Sequence, residues 1–153
     1  MSQSPDTRRT PSEQRRVYVA KKMFNEGWGA NTGWQSVWND HATDDMIGYF
    51  HGNPEPNKGR TAFVAFQSML FDGFPNLKTE VRSVTAEGDT VVIQSRLTGK
   101  QTGEFLGVPP SNNEVDVPDV TIFRFEQDKI CEVRYFTDLL RVMQTIGAAT
   151  KPI

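Results

Sequence analysis

The sequence predicts an α+β domain in which a curved, mostly antiparallel sheet wraps around helices and leaves an internal pocket. Three observations carry this. Apolar residues recur every three or four positions through most of the first 75 residues, the period of a helix face. After Pro75 the period drops to two, the signature of strands with one buried face. Strand-like runs are then separated by short Gly/Asp-type turns, so neighbouring strands return as hairpins, and helices grouped ahead of an antiparallel sheet mark an α+β domain.

Taken in order, residues 1–10 read as a flexible N-terminus, 11–147 as a single domain and 148–153 as a C-terminal tail. Thr10-Pro11-Ser12-Glu13 is a helix start: Thr10 as N-cap, Pro11 at the first helical position and Glu13 completing a capping box. Val17, Ala20, Phe24 and Trp28 continue it as one apolar stripe, and Gly27 and Gly29 end it. A shorter helix runs from Asn31 or Thr32 to about Asp40, with Trp34, Val37 and Trp38 on one face. Met46 to His51 reads as a short strand, and Gly52 to Gly59, with Pro54 and Pro56, as an irregular loop. The third helix spans Arg60 to about Phe71, with Ala62, Phe63, Phe66, Met69 and Leu70 as its predicted buried face. Four strands follow over 77–86, 90–102, 114–125 and 129–137, and Asp138 caps a last helix over 139–146.

Composition narrows the function classes. Seventeen Lys+Arg against 19 Asp+Glu leave a net charge of -2, which gives no basic footprint for nucleic acid and no polybasic membrane anchor. No apolar run reaches the ~18 residues of a membrane span, and the polar first residues lack a secretory leader, so a cytoplasmic location is expected. The single cysteine, Cys131, and two histidines do not make a disulfide framework or a zinc cluster. No metal site and no cofactor are predicted: Gly27-x-Gly29 lacks the strand–turn–helix context of a nucleotide fingerprint, and Asp40, Asp44 and Asp45 lack calcium-loop spacing.

A twisted sheet over helices encloses a cavity, the default place for a site. Alternation puts Val91, Ile93, Ser95, Leu97, Gly99 and Gln101 on the inward face of the second long strand, with Gln101 at the cavity edge. On the next strand Asp119, Thr121, Phe123 and Phe125 share one face, opposite Val120, Ile122 and Arg124; both faces carry apolar residues, so either can be the inner one.

Several segments together resemble a known family. Gly99 followed by Gln101-Thr102-Gly103-Glu104-Phe105-Leu106-Gly107-Val108-Pro109-Pro110 is similar to the G-x-H-x-G-x-F-x-G-x-P-P-T-G run of SnoaL-like polyketide cyclases, members of the nuclear-transport-factor-2-like superfamily. His51 ahead of Gly59-Arg60 resembles H-x-P…G-R, Phe74 to Leu77 resembles F-P-D-L, and Ala86 to Val91 resembles A-E-G-D-x-V. Ile122 to Phe125 with Lys129, Ile130 and Glu132 resembles I-F-R-F…G-K-I-x-E, and Asp138 to Gly147 resembles D-x-L-x-L-L-x-Q-L-G. The similarity covers residues 14 to 147 in register. It implies a cone of curved sheet over helices, a homodimer formed through the sheet, and cofactor-free aldol ring closure of a polyketide ester. Two positions depart from the pattern: Gln101 stands where the family often has His, and Thr121 where it usually has a carboxylate.

That chemistry needs a group that removes a proton beside a carbonyl and donors for the developing enolate. Asp119, on the face of Thr121 and one rung away, is the predicted base, with His51 the other basic candidate and Gln101 the third catalytic candidate, as a donor. Trp34, Trp38, Thr121, Tyr135 and Tyr18 are the predicted substrate-binding residues, Tyr135 through its hydroxyl and the tryptophans through flat apolar area. The expected partner is a hydrophobic small-molecule carbonyl compound, and the expected reaction is cyclisation or isomerisation. The alternatives are epoxide opening or hydroxylation in the same cone, or a non-catalytic dimeric module that binds a small molecule.

Overall fold

The first helix begins as its residues dictate. Glu13 N donates to Thr10 Oγ1 at 3.2 Å and Thr10 N to Glu13 Oε1 at 2.8 Å, a reciprocal cap that opens α1 (Pro11–Glu26). Its stripe of Val17, Ala20, Phe24 and Trp28 is buried, and Arg16 ties its outer side to two sheet turns through Gly88 O at 2.7 Å and Gln127 O at 3.0 Å. The computed structural model describes residues 8–148; most of the predicted N-terminal segment and C-terminal tail lies outside the described residues.

The second helix, α2 (Trp34–His41), starts later than the sequence predicts because Gly33, with φ of 78°, takes a left-handed turn that glycine adopts without strain. The first strand is longer than expected. β1 (Ala42–Phe50) follows α2 directly, and the polar run Thr43-Asp44-Asp45 at its exposed start had hidden it. The predicted irregular loop also contains β2 (Asn57–Lys58), which pairs antiparallel with Ile47 and Gly48 of β1; both prolines fall before it.

The third helix, α3 (Arg60–Gly73), is held at its start by Arg60, which donates to Ala42 O at 2.8 Å and pairs with Asp44 at 2.8 Å. Its buried face matches the predicted one at Phe63, with Leu70 half-buried, and departs from it elsewhere. Phe63, Gln67 and Phe71 point inward at i, i+4 and i+8, Met69 is 63% exposed and Ala62 is exposed. Packing against β1 decides the rotation: a Cβ at Gly48 would lie 2.2 Å from Phe63 Cδ2, so helix and strand approach too closely for any other residue there.

The remaining strands are β3 (Lys78–Glu87), β4 (Thr90–Lys100), β5 (Glu114–Glu126) and β6 (Lys129–Thr137). Asp138 then accepts from Arg141 N at 3.2 Å and starts α4 (Leu139–Thr145). The six strands form one sheet in the order β2-β1-β6-β5-β4-β3. All neighbours are antiparallel except β1 and β6, which run parallel. The helices cover the concave side. Val91, Ile93 and Leu97 of β4 and Val115, Val117, Phe123 and Phe125 of β5 face them, each such buried side chain contributing about 1.5–3 kcal/mol. The orientation of β5, open from sequence, is thereby settled: the odd positions, Asp119 among them, face in.

Candidate functional site

Between the concave face and the helices lies a cavity of about 60 Å³. Its wall is mostly Trp28, Phe71, Phe74, Leu97, Phe105 and Val142, and its polar members are Asp119, Thr137, Tyr135 and Gln67. Half-buried Phe50, Leu70 and Leu139 stand where this wall reaches the surface.

Asp119 sits mid-strand at 3% exposure. Register brings Ser95 of β4 and Thr137 of β6 directly opposite it. Thr137 Oγ1 donates to Oδ1 at 2.5 Å and Thr121 Oγ1 to Oδ2 at 3.0 Å. Among the described residues, no lysine, arginine or histidine lines the cavity with it. Burial therefore pushes its pKa above the usual aspartate range, and the Thr137, Thr121 and nearby Ser95 hydroxyls pull part of the way back. Such a carboxylate is oriented by its hydroxyls and made more basic by its surroundings.

Tyr135 is the second polar feature. Its ring stacks on Phe63 at 6.2 Å and lies 6.0 Å from Trp28. Burial first, and then the Asp119 charge, push its pKa well above the ordinary tyrosine value, with Gln67 opposing. The hydroxyl thus stays protonated and is a donor. Gln67 lies beside the hydroxyl and opposes the shift without meeting it in good hydrogen-bond geometry, and Trp28 Nε1 on the same wall has no partner. Buried donors without partners are rare and mark places that a ligand or water completes.

The structure brings Asp119, Thr121 and Tyr135 close together, with Thr121 bonded to the carboxylate and off the cavity wall that a substrate-binding residue is expected to line, and places the other predicted residues elsewhere. Gln101 is fully buried but away from the cavity: its amide donates to Val108 O and Pro109 O at 3.0 and 3.1 Å and accepts from Ser111 N at 3.0 Å. These bonds hold the 101–111 loop and occupy both ends of the amide. His51 is exposed just past β1, its ring 5.3 Å from Phe136 and outside the cavity wall. Trp34 stands behind the wall, edge-on to Phe71 at 4.9 Å. Trp38 spends its indole N–H on Gly27 O at 3.0 Å and packs on Phe63. Tyr18 is 66% exposed on the outer side of α1. Two wall residues, Gln67 and Trp28, are not among the predicted site residues. The signal for Gln67 is its place midway between Phe63 and Phe71 on one helix face. Among the described residues no three His, Cys, Asp or Glu side chains come together as a metal site, and no helix is long and apolar enough to cross a membrane.

Comparison with known proteins agrees with this architecture. The sequence model of the SnoaL-like polyketide cyclase family matches residues 18–146. A candidate SnoaL-like polyketide cyclase from Jannaschia sp. CCS1 is 47% identical and superposes with a TM-score of 0.89, covering 97% of this chain and 99% of that one. AclR, a candidate hydroxylase from Streptomyces galilaeus, shares the fold at 24% identity and a TM-score of 0.77, covering 93% of this chain and 87% of its own. IdmH, a candidate polyketide cyclase from Streptomyces antibioticus, does so at 17% and 0.73, covering 86% and 98%. No curated protein matches the sequence. With the family's sequence model matched over residues 18–146 and a curved sheet wrapped over helices around a mostly apolar cavity, the chain belongs to the SnoaL-like polyketide cyclases.

Proposed function

We propose that the protein catalyses cofactor-free acid–base chemistry on an apolar carbonyl compound, an aldol-type cyclisation or an isomerisation, with Asp119 as the base. The observation that carries this reading is the buried Asp119 carboxylate on an apolar cavity wall with no cation beside it. A carboxylate so placed binds a proton more tightly than one in water, which suits it to take a weakly acidic C–H proton. In the proposed cycle Asp119 removes the proton beside a carbonyl, and the Tyr135 hydroxyl holds the oxygen as charge develops on it. In a cyclisation the resulting carbon nucleophile forms a C–C bond to a second carbonyl. Asp119 then returns its proton to the new alkoxide, so no atoms are gained or lost. In an isomerisation the proton returns to another carbon. Thr121, off the cavity wall, is a positioning residue that holds the carboxylate, and Thr137 holds it from the wall itself.

The proposal extends to a homodimer and a cytoplasmic location. The outer sheet face carries half-buried Val92, Val120 and Ile122 with exposed Phe136, apolar area suited to a second copy, and the lone cysteine, Cys131, is unpaired, as is usual in a reducing compartment. The test of the chemistry is deuterium exchange at the carbons beside the carbonyl of pentan-2-one in heavy water, followed by NMR. The expected result is exchange above buffer with the wild type and its loss with Asp119→Asn. Equal rates for the two proteins, or none with either, would overturn the enzyme reading and leave a binding module.

A further inference from the structure

The inward row Ile93, Ser95, Leu97 of β4 is apolar except at its middle. Ser95 is 4% exposed, and its register neighbours are Val81 on β3 and Asp119 on β5. Val81 has no polar side-chain atom, so the Asp119 carboxylate is the neighbouring group that the serine hydroxyl can serve. The hydroxyl lies beside that carboxylate without meeting it in good hydrogen-bond geometry. A buried hydroxyl short of a bond carries a desolvation cost that an alanine would not, and such a group calls for an explanation.

β5 lies between β4 and β6 in the sheet. Asp119 is therefore flanked by Ser95 on one side and Thr137 on the other, with Thr121 two residues along its own strand. Thr137 and Thr121 donate to its two oxygens. Thr137 is on the cavity wall, while Ser95 and Thr121 are off it. Each hydroxyl has one hydrogen to give, and each carboxylate oxygen has room for more than one bond.

We propose that Ser95 is a positioning residue for Asp119, its hydroxyl closing on the ionised carboxylate from the β4 side as the third donor of a cradle. This rests on Asp119 being the base, since the cradle serves the form that takes the proton. Burial opposes that charged form, and hydroxyl hydrogens do here what a cation does elsewhere. The other titratable side chain on the wall, among the described residues, is Tyr135 of β6, which stays protonated. The helical side presents Trp28 beyond α1, Gln67 of α3, and Leu139 and Val142 of α4, none of which titrates. A change in the hydroxyls around Asp119 therefore reads directly in its titration.

The test follows the Asp119 carboxyl carbon by ¹³C NMR against pH, its signal assigned by its absence in Asp119→Asn. Ser95→Ala should titrate about one pH unit higher than the wild type, as loss of one hydrogen bond to a charged group implies. The pentan-2-one exchange–pH profile should move up by the same amount. Ser95→Thr, which keeps the hydroxyl, should return both to the wild-type position. A folded Ser95→Ala protein that titrates as the wild type, or a Ser95→Thr protein that shifts as far as Ser95→Ala, would overturn the proposal, because packing alone would then explain the serine. The two readings fail separately. Exchange that Asp119→Asn abolishes, with no shift in Ser95→Ala, removes the third donor alone. A shifted titration without wild-type exchange removes the base alone.

Discussion

Two aspartates three residues apart on β5 live in opposite chemistry. Asp116 faces out, where the Arg96 guanidinium across the strand pair grips both of its oxygens. That hydrogen bonding, with the arginine's charge, outweighs partial desolvation and holds its carboxyl below the usual range. Asp119 faces in, meets hydroxyls instead of cations, and is pushed the other way by burial. Side chains alternate along a strand, so an odd spacing is enough to send one residue type to water and the other to the cavity. The outer carboxylate is a surface tie, and the inner one is the base of the proposed reaction.

The comparison breaks most visibly in activity. Asp119→Asn should lower pentan-2-one exchange by about 10²–10⁴-fold, the usual contribution of a general base, and Asp116→Asn should leave it unchanged in the same NMR assay. Next in size is Thr121→Val, which keeps shape but removes the donor to Asp119 Oδ2. It should destabilise the protein by about 1–3 kcal/mol at neutral pH, read by urea unfolding, and move the basic form of Asp119, followed in the exchange–pH profile, to higher pH.

The third prediction concerns stability against pH. The folded state binds the Asp119 proton more tightly than the unfolded chain does. Its stabilising contribution is therefore complete below the unfolded pKa of about 3.9 and is lost as pH rises through the raised folded value. Glu132, whose carboxyl is lowered on balance because Arg124 and Arg134 outweigh its desolvation, works in the opposite sense and loses stability as pH falls. The difference between wild type and Asp119→Asn isolates the first effect: the variant gains relative stability with rising pH in paired thermal melts. The smallest effect belongs to the outer pair. Arg96→Gln should change neither exchange nor melting temperature measurably, because an exposed ion pair is screened by water and salt.

The legible parts of the fold were those that local chemistry determines. Thr10, Pro11 and Glu13 specify a helix start without help from the rest of the chain, and Val91, Ile93 and Leu97 point one way on β4 because the alternate positions Gln94, Arg96 and Thr98 are polar. β5 did not resolve, since Val120 and Ile122 make its outer face half apolar. The site was legible only where it lies on strands. Gln67 escaped because α3 carries apolar residues on several faces, and only its contact with β1 selects the one through Phe63 and Phe71. Trp28 read as core because burial and function coincide in an indole whose N–H is left unpaired. Gln101 and His51 lie just beyond strand ends, where alternation no longer says which way a side chain turns.

The parallel pairing of β1 with β6 has a bearing on how the molecule assembles. Ile47 aligns with Glu132 and Phe50 with Tyr135, so this seam joins an early stretch of chain to a late one, while β3 joins β4 and β5 joins β6 through short turns and β4 joins β5 through the 101–113 loop. Closing a long loop is entropically costly and offers no reward until the strands meet. The hairpins are thus expected to form first and the seam last, which would show in pulsed amide exchange as late protection of β1. Phe50 of the cavity wall arrives only with that seam, so a nascent or partly unfolded chain would hold Asp119 on β5, beside Tyr135 of β6, before that side of the wall is in place. The carboxylate would then be open to water, and its basicity would appear only when the last seam closes.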